Sequence, residues 1–181
     1  MLSTDNPLDR GDIRLTHWLE DIYRDHRRGL FGLALSVVRE AATAEDAVHE
    51  AFARLARQKG PPDGDAAAYV YKAVRNAAID QARRRKARPT PTDDPASLFE
   101  TSKENNPGHA AETNETHAML MRAIDNLPDD EREAVVMRSF GGLTYQQIAE
   151  ATGRPLTTVS SQYQRALSKL KQQLEGAHVN A

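Results

Sequence analysis

The sequence predicts an all-α protein built as two small helical domains joined by a flexible acidic linker. Three observations carry that expectation. Apolar residues recur at steps of three and four along most of the chain, the spacing of one helical face, and no stretch shows the period of two that strands need. Glycines and prolines cut the periodic stretches into pieces of helix length. Residues 89–114 fit neither pattern, with four of the nine prolines, few apolar side chains and an excess of acid. The expected boundaries are a tail over 1–14, a first domain over 15–88, a linker over 89–115, a second domain over 116–175 and a tail over 176–181.

The elements follow in order. Trp18, Leu19, Ile22, Tyr23, Leu30, Leu33, Ala34, Val37 and Val38 mark the first helical stretch, expected as two helices broken near Gly29. Ala44, Ala47, Val48, Ala51, Phe52 and Leu55 occupy one face of the next. Two prolines and two glycines between Lys59 and Asp65 then stop the helix. A third helix resumes at Ala66 and runs through Val70, Val74, Ala77 and Ala78 into Arg83-Arg84-Arg85-Lys86. Residues 89–114 bury too little apolar surface to offset the entropy of ordering them. Leu98-Phe99 within them reads as an incidental apolar pair, with a small anchor against a partner as the other reading. In the second half, Met119, Leu120, Ala123, Ile124 and Leu127 form a stripe stopped by Pro128. Asp129, Asp130 and Glu131 suit the first turn of a helix, where the macrodipole favours negative charge, and Gly141-Gly142 ends it. Thr144 and Gln147 have capping-box spacing for a helix from Tyr145 to Ala151. Gly153-Arg154-Pro155 makes a turn, and a last helix presents Val159, Tyr163, Ala166, Leu167, Leu170 and Leu174.

Composition narrows the function classes. The chain has 181 residues, 39% of them apolar, enough for a core. No run of 18 apolar residues suggests a membrane span, and the charged start with Asp5, Asp9, Arg10 and Asp12 does not suit a signal peptide. No cysteine is present, which removes disulfides, thiol nucleophiles and zinc sites built on thiolate. A cytoplasmic protein is expected. The net charge of −2 hides a pattern. Residues 65–88 hold 7 cationic and 2 anionic side chains, whereas residues 89–126 hold 2 and 7. An anionic partner is expected at the basic block.

Two motifs carry chemistry. A short helix, a glycine turn and a longer helix form a helix-turn-helix pattern, whose second helix fits a DNA major groove. Thr157, Thr158, Ser160, Ser161, Gln162, Gln164 and Arg165 are the polar residues early on that helix. An αα-hairpin that only packs has the same pattern. The basic helix end combines Lys72, Arg75, Arg83, Arg84, Arg85, Lys86 and Arg88 with Tyr69, Tyr71 and Asn76. Cations neutralise phosphates, while aromatic rings and amides engage unpaired bases; a solvated cationic helix terminus is the plainer reading. Enzyme signatures are poor. The six histidines show no metal-ligand spacing, and no phosphate-binding or nucleophile motif occurs. No catalytic residue, metal or cofactor is expected.

These residues resemble the extracytoplasmic-function sigma factors, small two-domain bacterial transcription initiation factors of the sigma-70 family. Ala44-Glu45-Asp46-Ala47-Val48-His49-Glu50-Ala51-Phe52 is similar to the region-two helix that the family docks on polymerase. Tyr69 through Asn76 to Asp80, with its arginine tail, resembles the stretch that reads the minus-ten element. Leu127-Pro128, Arg132-Glu133, Arg138, Gly142-Leu143, Tyr145, Ile148-Ala149, Gly153, Thr158-Val159 and Ser161 resemble region four. The resemblance covers 15–88 and 117–174. It implies docking of Asp46, His49, Glu50 and Phe52 on the β′ coiled coil of core RNA polymerase, with the β flap as a further contact. It implies minus-ten contacts from Lys59, Tyr69, Lys72, Arg75, Asn76, Arg83, Arg84 and Arg85 on melted promoter DNA. The loop from Lys59 to Asp65 would hold a flipped base, and the helix-turn-helix would read the minus-thirty-five element. An anti-sigma factor is a further partner that the family leads one to expect.

The sequence also departs from the family. The recognition helix has Ser160, Gln162 and Leu167 where the family has basic residues, His49 where it has glutamine and Tyr69 where it has tryptophan. Each lost phosphate contact removes about 0.9 from the salt slope of duplex binding, whereas Gln162 and Gln164 retain the chemistry to read adenine. Two other readings stay open on these residues: a stand-alone helix-turn-helix regulator, and a polymerase-docking protein with weakened promoter reading.

Overall fold

The computed structural model describes residues 7–58, 60, 62–87 and 110–178, with side chains described over 15–58, 60, 62–87 and 118–175. The helices are α1 (Pro7–Val38), α2 (Ala41–Leu55), α3 (Ala66–Ala87), α4 (Ala110–Asp125), α5 (Asp129–Val135, widening into a further turn Val136–Phe140), α6 (Tyr145–Thr152) and α7 (Leu156–His178). No strand occurs among the described residues. Lys59, Arg88 and the expected linker as far as residue 109 lie outside them.

The first helix corrects two expectations. It begins at Pro7, inside the segment expected as a tail, and it passes through Gly29 without a break. A glycine inside a helix costs about 1 kcal/mol relative to alanine, so it lowers helix propensity without forbidding the helix. Its reason lies in the packing: a Cβ on Gly29 would stand 2.5 Å from the Gly141 Cα and collide with the Tyr71 hydroxyl. The helix stops where Arg39 turns left-handed at φ 62°. Glu40 then caps α2, its carboxylate accepting from the Thr43 amide at 2.9 Å.

Small residues bring the first three helices close together. Helix α2 buries Ala44, Ala47, Val48, Ala51 and Leu55, and α3 buries Ala67, Ala68, Val70, Tyr71, Val74, Ala77 and Ala78. Asp65 starts α3 by accepting from the Ala68 amide at 2.8 Å, a cap that satisfies one of the unpaired amides of a helix N-terminus. In the second group, α5 ends in a wide turn: the Gly141 amide donates to the Val136 carbonyl at 3.0 Å, five residues back. Thr144 and Gln147 form the expected capping box at α6, and Gly153 ends that helix in the left-handed conformation, φ 70° and ψ 19°.

The two groups lie against each other around one continuous apolar core, which takes Leu30, Leu33 and Tyr71 from the first and Val136, Met137, Leu143 and Ile148 from the second. Helix α1 packs on α5 and its wide turn, and α3 packs on α6. Polar contacts cross the seam as well. Arg75 meets Glu133 at 3.1 Å, Gln147 Nε2 donates to Asp65 at 2.8 Å, and Arg39 meets Asp125 at 3.2 Å. Arg132, 1% exposed, donates to the carbonyls of Ser36, Asp125 and Leu127 at 3.3, 3.0 and 2.6 Å, and pairs with Asp129.

Candidate nucleic-acid interface

Three surfaces hold the residues singled out by sequence. On α2, Asp46 and His49 are exposed and Phe52 is half-buried. The Phe52 ring meets the edge of Tyr23 at 5.3 Å between centroids, and Tyr23 is 43% exposed. The periodic pattern placed Tyr23 in the core stripe; the structure puts it at the surface against Phe52. Glu50 behaves differently. Its carboxylate accepts from Gln81 Nε2 at 2.9 Å and from Arg84 at 3.1 Å, and it pairs with Arg54. The Arg84 hydrogen bond, aided by the Arg54 charge, holds the Glu50 carboxyl below its ordinary range against the opposing effect of burial. Glu50 therefore ties α2 to the basic end of α3 at neutral pH, and acidification through its lowered pKa removes that contribution.

The second surface is α3. Tyr69, Lys72, Asn76 and Arg83 fall at steps of three, four and seven, and so share one helical face. Lys72, Asn76 and Arg83 are exposed on it, with Tyr69 half-buried and its hydroxyl accepting from Gln58 at 2.8 Å. A row of cations with an amide and an aromatic ring is suited to a single strand, whose backbone follows the charge while bases stack. The other basic residues turn away. Arg84 reaches Glu50, Arg85 lies 3.9 Å from Glu40, and Arg75, its side chain only 18% exposed, is held by Glu133 across the seam. Tyr71 is fully buried.

The third surface is α7. Thr157, Ser161, Gln164 and Arg165 are exposed, while Thr158 and Ser160 are half-buried. Gln162 departs from the expectation of a base-reading residue. It is 4% exposed, its Nε2 donates to Asp130 at 3.2 Å, and its Oε1 accepts from Arg154 at 3.5 Å, so it faces α5 within its own lobe. Nearby cations are likewise engaged within the lobe. Arg154 meets Asp130 at 2.7 Å and Glu133 at 2.9 Å. Arg165 and Lys169 converge on the buried Glu131 at 3.2 and 2.8 Å. Arg138 donates to the Leu143 carbonyl at 2.8 Å and lies over the Tyr145 ring. The outward row of Thr157, Ser161, Gln164 and Ser168 is thus neutral, and duplex binding through it releases few counterions. A Ser160→Lys variant should steepen the dependence of log K on log salt by about 0.9 on random-sequence duplex DNA. Gln162→Arg should leave the slope unchanged, because Asp130 takes the new charge; fluorescence anisotropy across a salt series reads both.

Sequence reasoning named Asp65, Glu133, Gly141 and Gln147 only for local or family reasons and did not place them at the seam, where Asp65 meets Gln147, Glu133 meets Arg75 and Gly141 meets Gly29. Asp65, Gly141 and Gln147 carry local helix-end signals, but none of these signals points to a partner in the other group.

Comparisons with known proteins identify the family. Residues 22–88 match the family described as Sigma-70 region 2, and residues 117–170 match Sigma-70, region 4. The chain is 32% identical over 177 residues to the RNA polymerase sigma-H factor of Pseudomonas aeruginosa, covering 93% of this chain and 90% of that one. It is 30% identical over 146 residues to the ECF RNA polymerase sigma factor RpoE of Cereibacter sphaeroides, covering 74% of each. In fold it is similar to the sigma factor RpoE of Bartonella quintana, solved in complex with the anti-sigma factor NepR, with a TM-score of 0.64 at 19% identity, covering 89% of this chain and 94% of that one. CnrH, solved with the cytosolic domain of CnrY, is similar with a TM-score of 0.62 at 17% identity, over 92% and 97% of the two chains. The chain belongs to the extracytoplasmic-function class of the sigma-70 family, whose members are transcription initiation factors and not enzymes.

Proposed function

We propose that this alternative sigma factor docks on core RNA polymerase through the outward face of α2, and engages promoter DNA through α3 and α7. Asp46, His49 and Phe52, with Tyr23 beside them, form the docking face, and Glu50 positions α2 against the basic helix end. Tyr69, Lys72, Asn76 and Arg83, together with Lys59, contact the melted minus-ten element directly, whereas Arg75, Arg84 and Arg85 reach it by exchanging Glu133, Glu50 and Glu40 for phosphate. Thr157, Thr158, Ser160, Ser161, Gln164 and Arg165 face the minus-thirty-five duplex. The observation that carries this reading is the exposed row of Tyr69, Lys72, Asn76 and Arg83, set in the same chain as a helix-turn-helix. Such a pairing suits a protein that must hold single-stranded and duplex DNA together. The sigma factor RpoE of Bartonella quintana is solved with an anti-sigma factor, and we extend that class of partner to this chain. Among the described residues no helix is long and apolar enough to cross a membrane, and the site of action we assign is the cytoplasm, where the polymerase is.

Size-exclusion co-elution with bacterial core polymerase tests the reading. Wild type should co-elute at low salt. Asp46→Arg, at an exposed position, should weaken binding about tenfold through charge reversal at the contact with an unchanged melting temperature. Absence of co-elution by folded wild type would leave a stand-alone duplex-DNA regulator as the better account. The neutral outward row of α7 favours the docking reading over that regulator, which would depend on this row for nearly all its affinity.

A further inference from the structure

We infer that α7 reads its duplex by neutral chemistry, with Leu156 and Leu167 meeting thymine methyl groups and Gln164 pairing with adenine, so that this lobe selects A·T pairs. The inference rests on the assignment of α7 to duplex DNA given above. Large hydrophobic side chains are exposed at four described positions, and two of these lie on α7: Leu156 is 44% and Leu167 40% exposed. Eleven residues separate them, three helical turns, so they share one line along the helix and stand about 16 Å apart. The periodic pattern put Leu167 in the core stripe. The structure leaves it outside, because Val159, Ala166 and Leu170 already fill the inward face. Beside this line, Tyr163 packs on Tyr145 at the start of α6, with ring centroids 5.7 Å apart. In a helix-turn-helix the first helix crosses the DNA backbone and the second enters the major groove. The leucine edge therefore borders the helix that meets the backbone, which makes the duplex its occupant.

The rest of the face leaves little else to read bases. At its other edge Arg165 donates to Glu131 at 3.2 Å, and Lys169 donates to the same carboxylate at 2.8 Å. Lys171 lies 3.8 Å from Glu175. Each lysine and arginine described on α7 thus already sits beside a carboxylate. The outward serines are committed as well. Ser161 Oγ donates to the Thr157 carbonyl at 2.8 Å, and Ser168 Oγ donates to the Gln164 carbonyl at 3.1 Å. With their protons turned back onto the helix, they act as short side chains that let it approach the base edges. Gln164 lies exposed between them. Such an amide meets adenine N6 and N7 together, and the thymine paired with that adenine displays its C5 methyl in the same groove. Leucine removes that methyl from water, whereas guanine is read best by arginine or lysine, which this face does not offer freely.

Removing the methyl alone tests this. Fluorescence anisotropy compares the full chain on a fluorescein-labelled A·T duplex of about two helical turns and on the same duplex with deoxyuridine in place of thymidine. Wild type should bind the thymine duplex about fourfold more tightly for each methyl buried. Because the contact is not ionic, this ratio should hold across a salt series while both affinities fall. The double variant Leu156→Ala, Leu167→Ala should bind the two duplexes equally. Gln164→Ala should weaken binding to both and keep the ratio. Equal binding of the two duplexes by wild type would overturn methyl reading and leave duplex contact by α7 standing, as would a ratio that survives in the double alanine variant. Binding of neither duplex by folded wild type would overturn the duplex contact itself. Leucine variants that keep the ratio but no longer co-elute with core polymerase would make this edge a polymerase contact instead. Both leucines are exposed, so the variants should fold, and far-UV circular dichroism checks that they do.

Discussion

Replacing Arg132 by alanine is expected to cost roughly 3–5 kcal/mol of folding stability, the range for breaking a buried charged network. The reason is the partner set. A guanidinium 1% exposed has been taken out of water, and burial, with Arg39 nearby, disfavours its charged form. It is retained because its donors reach the carbonyls of Ser36, Asp125 and Leu127 and the carboxylate of Asp129. The Ser36 carbonyl belongs to the last turn of α1, where carbonyls lack helical partners. Alanine would leave these acceptors unpaired at roughly 1–3 kcal/mol for each that stays dry, and would open a cavity. Lysine should recover only part of the loss, since a point charge with three donors does not reproduce the planar fork. Urea unfolding monitored by circular dichroism measures this, and a loss below about 1 kcal/mol would mean that the network contributes little.

The Tyr71→Phe variant is expected to be more stable than wild type by about 1–2 kcal/mol. The Tyr71 hydroxyl is buried without a hydrogen-bond partner, and burial pushes its pKa upward. An unsatisfied buried polar group carries its full desolvation penalty, whereas an apolar replacement of the same shape removes it. The hydroxyl also crowds the Gly29–Gly141 contact, so its deletion eases the tightest point of the seam. Aromatic packing is kept, including the edge contact with His26 at 5.7 Å. A higher urea midpoint with an unchanged slope is the supporting result; a lower midpoint would show that the hydroxyl is satisfied in solution.

Much of this protein was legible without coordinates because the governing interactions are local. The spacing of Ala44, Ala47, Val48, Ala51 and Leu55 needs only the helical period to define a buried face, and those residues are buried. Thr144, Gln147 and Gly153 act within one turn of their own helix, and the capping box and left-handed end lie where their chemistry puts them. Family membership was legible for a related reason, since short motifs kept their order and spacing along the chain.

What the tertiary structure decided involves partners far apart in sequence. Gly29 reads locally as a break, yet α1 is continuous, because the residue is there for a backbone 112 positions away. Arg75 reads as one of a row of DNA-facing cations until Glu133, 58 residues on, holds it. Gln162 reads as a base-reading amide on an exposed face, and its burial depends on where α5 places Asp130. Periodicity specifies which face of a helix is apolar, but the pairing of a charge depends on which surface packs opposite it. Here that surface belongs to the other half of the molecule, and only the packed chain shows which of its cations remain exposed to DNA.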